Sequence, residues 1–288
     1  MPVEALLHPR AKDLGGGFTV RRLLPSFPRQ SVGPFVFFDH FGPVRVRPHD
    51  NFDVRPHPHI GLATVTYMFD GAMLHRDSLG SVQRIEPGAV NWMTSGRGIV
   101  HSERRPEDLA QAEYPLHGLQ LWAALPQAFE EIEPAFVHAA ADAIPAWTQG
   151  DVALRLLIGD AFDRHSPVAT FAPTLYLDAV AAPGAALDLP ATAMERAVYC
   201  VQGNLRIDGT VVAEHAMAAL VRDAPARIES PAGGRYVVIG GEPLDGPRFL
   251  WWNFLSSSKE RIELAKEAWS AQRMGRIPGE HEWIPLPP

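Results

Sequence analysis

Two patterns in the 288-residue sequence join metal-binding residue types at a spacing that lets them act together: His57-Pro58-His59 and His101-Ser102-Glu103. In an extended chain side chains alternate between faces, so residues i and i+2 point the same way with Cα atoms about 6.5 to 7 Å apart. Each pair can therefore reach one ion. Two such segments side by side in a β-barrel would bring together three imidazoles and one carboxylate. That ligand set suits Fe(II), Mn(II), Ni(II), Cu(II) or Zn(II), and a six-coordinate ion held this way keeps positions open for water, O₂ or substrate. Open positions point to catalysis or sensing, and the absence of cysteine ligands argues against a structural zinc site. With 12 histidines in the chain, however, chance alone gives about half a His-x-His pair and a similar number of His-x-Glu pairs. Polar surface histidines or hydrogen-bonded core groups account for the same spacing, and spacing alone leaves both readings open.

The elements that must position these pairs read as strands. Segments 35–38, 61–69, 82–86, 89–93, 99–103 and 119–124 are rich in Val, Ile, Phe, Thr and Tyr and are bounded by Gly, Pro, Asp or Ser. The second half has the same texture at 152–158, 174–180, 197–202, 216–221 and 235–239. Glycine (24) and proline (27) make up about 18% of the chain, against about 12% in average usage, so turns are frequent throughout. A weak internal repeat sets Tyr67-Met-Phe-Asp-Gly71 against Tyr199-Cys-Val-Gln-Gly203. Two copies of one β-domain would explain it, with Pro126 and Pro134 bracketing a short linker helix. The expected domains are 1–134, carrying the metal, and 135–288, metal-free. A helix in the second domain starts at Ser257-Ser258-Lys259-Glu260, buries Ile262, Ala265 and Trp269, and stops at Gly275. The charges of that helix are its solvated face.

Composition limits the functional classes. Hydrophobic residues at 46% and charged residues at 20% make a globular chain with a sizeable core. Lys and Arg number 26 against 33 Asp and Glu, for a formal charge of −7, without the basic excess that neutralising nucleic acid needs. The single cysteine, Cys200, cannot form an internal disulfide, and it sits in an apolar run as an inert buried thiol. The N-terminus lacks the basic and apolar regions of a secretory signal, and no run approaches about 18 apolar residues. A cytoplasmic monomer with no membrane or nucleic-acid partner is expected.

The residues resemble the pirin family of bicupins. The resemblance rests on Phe35-Val-Phe-Phe-Asp39-His40-Phe41-Gly42-Pro43, on His57-Pro58-His59 followed by Thr64-Val65-Thr66-Tyr67, on the run from Trp92-Met93-Thr94-Ser95-Gly96-Arg97-Gly98 to His101-Ser102-Glu103, and on His117-Gly118-Leu119-Gln120-Leu121-Trp122. It is looser in the second half, at Pro173–Asp178 and Gly240-Gly241-Glu242-Pro243-Leu244. It implies an all-β chain of two cupin jelly-roll barrels with the metal in the first, where His57, His59, His101 and Glu103 stand at the positions of the pirin ligands. A general cupin carries its glutamate three or four residues after His-x-His. Ala63 and Thr64 occupy that window here, so Glu103 must supply the carboxylate. The second half has no His-x-His, and His138, His165 and His215 in it are isolated.

The resemblance further implies a quercetinase, a dioxygenase that opens a planar phenolic flavonol with O₂, with Fe(II) favoured and Glu103 relaying the substrate's proton. The alternative is an iron-dependent redox sensor that acts through a protein partner, as proposed for animal pirins. Among the remaining residues, His40 reads as a hydrogen-bonded structural histidine, Arg97 as a surface arginine or an anion-orienting group, and Gln120 as a polar group facing the barrel interior. Met68, Phe69, Trp92 and Trp122 read as core.

Overall fold

A chain punctuated this often forms short strands. The computed structural model, which describes residues 3–15 and 17–287, is built of β-strands with one α-helix, Lys259–Ser270, among the described residues. The strands sort into two compact units. One takes in residues up to Ala11, Arg21–Asp39 and Asp142–Pro243; the other takes in Lys12–Val20, His40–Ala141 and the residues from Leu244 onward.

This partition differs from a division at 134/135, and local pairing explains why. The strand Ala135–Ala139 runs antiparallel to Val90–Thr94, which keeps it with the first half. The C-terminal helix buries Ile262, Ala265 and Trp269 in one cluster with Ile60, Val100 and Phe254, so it too belongs to the first-half unit. His138 lies on Ala135–Ala139 and meets Asn91 Oδ1 at 2.7 Å, so it is not a histidine of the second barrel.

The described strands form two seven-stranded and two four-stranded sheets, besides two of two strands. In the second-half unit the large sheet runs Val3–Leu7, Met217–Leu220, Glu195–Gly203, Gly234–Gly241, Thr174–Ala181, Val152–Ile158, Ala146–Gln149. Its core is aliphatic, built around Leu154, Leu156, Leu177, Leu187, Val198 and Val238. Cys200 sits in that core, where burial pushes its thiol up to about 12. The sequence repeat has a structural counterpart. Leu62–Asp70 and Glu195–Gly203 each lie between two antiparallel partners in the large sheet of their own unit. Each is followed or closed by a glycine in the left-handed region, Gly71 at φ 81° and Gly203 at φ 87°.

In the other unit the small sheet has the order Val54–His59, Ile99–Arg104, Met73–Asp77, Val82–Ile85. Its large sheet carries Leu62–Asp70 beside Tyr114–Ala124. The expected linker helix contracts to a 3₁₀ turn, Gln127–Phe129, because the next residue, Glu130, turns inward to Arg248, Ser256 and Ser257. The C-terminal helix begins one residue later than a Ser257–Glu260 capping box. Ser258 is the N-cap and accepts from the Arg261 N–H at 3.3 Å. The helix ends at Ser270, ahead of Gly275, where Gln272 takes a left-handed φ of 54°.

Candidate metal centre

The two histidine-bearing strands are neighbours. Val54–His59 pairs antiparallel with Ile99–Arg104, placing His101 opposite His57 and Ile99 opposite His59. The period-two alternation of a strand sends all three imidazoles to one face. Their rings lie close together: His57 to His101 at 4.3 Å between centroids, His59 to His101 at 5.0 Å and His57 to His59 at 5.1 Å. One nitrogen from each falls within 4.8 Å of the others, a group that could hold one metal ion.

The chemistry of these nitrogens fits a metal. All three side chains are buried. His57 Nδ1 lies 2.8 Å from the Arg55 carbonyl, which can only accept, so Nδ1 carries the hydrogen and Nε2 is left with a free lone pair. Both ring nitrogens of His101, and Nδ1 of His59, are buried without a hydrogen-bond partner. A buried polar atom without a partner costs free energy, and an ion is one of the few things that repays it. Burial lowers the His57 ring to about 4 and holds His59 and His101 well below the usual range, with neighbouring imidazoles adding to the effect. The rings are therefore neutral at physiological pH, the form that binds metal.

Glu103 is placed differently. Against Val54–His59 the register shifts between His101 and Glu103, the extra residue lying on Val54–His59, so that Glu103 opposes Val54; against Met73–Asp77 the ladder is regular and sets Glu103 opposite His75. Its carboxylate is not among the atoms of the 4.8 Å group. Burial without a compensating partner raises it to about 7.

Residues that spacing did not single out complete the surroundings. His75, on Met73–Asp77, is buried, stacks on Phe136 at 4.2 Å, and places its Nε2 3.0 Å from Asp77 Oδ2. Its ring is 5.4 Å from that of His101. A His-x-Asp alternation on a strand was the available signal. Trp122, expected as plain core, sets its indole edge-on to His59 at 5.0 Å. Gln120 accepts from Thr66 Oγ1 at 2.8 Å. His40 is fully buried, with its Nε2 2.7 Å from His117 Nε2. Arg97 is exposed and pairs with Glu133 at 2.7 Å. The cavity that reaches Glu103, between Phe52, Met73, Tyr114 and Leu116, holds about 10 Å³, against the roughly 300 to 1,000 Å³ of an ordinary small-molecule site. No described helix is long and apolar enough to cross a membrane.

Comparison with known proteins agrees with this architecture. The Pirin family model matches residues 17–123, and the model described as Pirin C-terminal cupin domain matches residues 176–275. A Pirin-like protein of Caulobacter vibrioides is 44% identical, with 99% of each chain covered. Human Pirin is 32% identical over 89% of this chain and 88% of its own. A crystal structure of quercetin 2,3-dioxygenase from Acinetobacter baumannii superposes with a TM-score of 0.91 at 34% identity, covering 98% of this chain and 94% of that one. With a family model matched in each half, and relatives aligned over nearly the whole length, the chain belongs to the pirin family of two-cupin proteins.

Proposed function

We propose that the protein is a metal-dependent dioxygenase of the pirin type that opens a flavonol such as quercetin with O₂. The observation that carries this reading is the convergence of His57, His59 and His101, buried, neutral and with unpartnered ring nitrogens. Glu103 is the proposed fourth ligand. It shares the interior face with His101, two residues away on one strand, and from there its carboxylate would complete the ligand set. A divalent ion, with Fe(II) favoured, would act as a Lewis acid toward the flavonol 3-hydroxyl and provide redox chemistry toward O₂. The chain's own contribution is positioning and proton handling. Three neutral imidazoles and a single carboxylate would leave a bound divalent ion a net positive charge, which would favour an anionic substrate oxygen. The Glu103 carboxyl, raised towards neutrality by burial, takes up the 3-hydroxyl proton as substrate arrives. Trp122, edge-on to His59, excludes water and offers an aromatic face to a planar ring.

One observation favours the second reading, a metal-responsive regulatory protein acting through a partner: the cavity at Glu103 holds only about 10 Å³. An enzyme of this kind must open that end of the barrel to admit a flavonol, and a sensor need not. Oxygen uptake by anaerobically iron-loaded protein on adding quercetin, with metal-free protein as control, separates the two. Iron-dependent uptake supports the dioxygenase. Its absence at full iron occupancy rejects quercetin as substrate and favours the sensor.

A further inference from the structure

The strand Val54–His59 is the edge of its four-stranded sheet, so only one side of it is held by a ladder within that sheet. The segment from Leu244 onward covers the other side. The Leu255 N–H donates to the Ile60 carbonyl at 3.2 Å, and the Ile284 N–H donates to the Pro56 carbonyl at 2.8 Å.

The same segment covers the reverse face of both ligand strands. Alternation sends His59 and His101 inward and their neighbours Ile60 and Val100 outward. Those two pack with Phe254, Ile262, Ala265 and Trp269. Ser102, between His101 and Glu103, donates its hydroxyl to Glu280 Oε1 at 2.6 Å. Arg104, just after Glu103, donates from Nε to Glu280 Oε2 at 3.1 Å, and its Nη2 bonds both Glu280 and Glu282. Trp269 Nε1 donates to the Ile284 carbonyl at 2.9 Å, tying this strap to the C-terminal helix. Each candidate ligand thus has a chain neighbour fixed by residues about 150 to 230 positions later.

We propose that this C-terminal strap, through Glu280 above all, is a positioning element that fixes the spacing of the two ligand strands and thereby sets metal affinity. The proposal rests on the metal-binding reading of the triad. Glu280 touches neither the ion nor the ligand side chains. It acts through Ser102 and Arg104, the residues on either side of Glu103, and holds the end of the strand where its register against Val54–His59 shifts. Burial raises its carboxyl, but the bonds from Arg104 and Ser102 outweigh that and keep it below the usual carboxylate range, so it is ionised when it grips them. Outer groups that orient ligands typically contribute about 10- to 100-fold in metal affinity.

The test is cobalt(II) titration of metal-stripped protein against a competing chelator, with the visible ligand-field spectrum recorded alongside. Glu280→Gln is expected to raise the cobalt dissociation constant by about tenfold or more and to change the band positions. Ser102→Ala, which keeps the Arg104–Glu280 pair and is the milder variant, is expected to raise it severalfold. Glu263→Gln, which removes only an exposed ion pair with Lys266 on the helix, is expected to match the wild type. A purely structural strap would lower the melting temperature of Glu280→Gln and leave spectrum and affinity alone. Folded Glu280→Gln and Ser102→Ala proteins that bind cobalt within about twofold of wild type, with an unchanged spectrum, overturn the proposal while the triad reading stands. Wild-type protein that takes up no stoichiometric cobalt, or His101→Ala protein that retains it, overturns the triad reading and the strap proposal with it.

Discussion

His57 and His101 are direct cross-strand partners whose rings lie 4.3 Å apart, each contributed by a different strand of one antiparallel pair. Neither strand alone makes a site. The register between them does, and every group that holds that register bears on the spacing of the triad.

His101→Ala is expected to lose metal at least as severely as the roughly 10- to 100-fold cost of removing an outer partner, because it deletes a ligand outright. The fold should survive, since the deleted nitrogens have no hydrogen-bond partners to strand. Metal content after dialysis, read beside circular dichroism, checks both halves, and full occupancy would remove His101 from the site.

Metal-free protein should lose stability as the pH falls from about 6.5 to about 4. The His57 ring is lowered to about 4 in the fold but titrates near 6.5 in the unfolded chain. Between those values the unfolded chain binds the extra proton, at up to about 1.4 kcal/mol per pH unit per histidine. His59 and His101, lowered further, act in the same direction. Glu103 opposes them: raised to about 7, it favours the fold as it takes up a proton below that pH. Three histidines outnumber one carboxyl, so the net slope is a loss. Urea unfolding at pH 7 and pH 5 measures it, and equal stabilities would contradict the burial of neutral imidazoles.

Arg248→Ala should cost about 3 to 5 kcal/mol, the penalty for leaving a buried charge without its partner. The pair is enclosed, with Arg248 and Glu130 side chains 2% and 7% exposed and 2.7 Å apart. A loss below about 1 kcal/mol in urea titration would show that Ser256 and Ser257 suffice for Glu130.

Gly61→Ala should destabilise by more than about 1 kcal/mol. Gly61 has φ +70°, and an added Cβ would meet the Leu255 carbonyl oxygen at 2.0 Å. Because Ile60 and Leu255 are bonded there, the variant should also weaken cobalt binding. Wild-type thermal stability and affinity together would refute this.

What the sequence made legible was local. Alternation in His57-Pro58-His59 and His101-Ser102-Glu103 identifies one inward face, because period two is a property of any strand. The helical spacing of Ile262, Ala265 and Trp269 identifies the buried stripe of the C-terminal helix, and all three are buried. The partner of that stripe was not legible, since nothing in residues 257–270 encodes Ile60 or Val100, about 160 to 200 positions earlier. The same holds for Trp122 against His59 and for the strand pairing that sets Glu103 opposite His75. Periodicity reports which face of an element is covered and is silent about what covers it.

The interleaving of the two units has a consequence for biosynthesis. The second-half unit has all its segments once Pro243 has been made, whereas the unit holding the triad still awaits the residues after Leu244. Domains fold as units while the chain emerges, at about 5 to 20 residues per second. The aliphatic barrel can therefore mature first, with the histidine strands held open at their edge in the meantime. On the metal-binding reading, capture would be a late event in the life of the nascent chain, because the order of translation delays the completion of the unit that holds the triad.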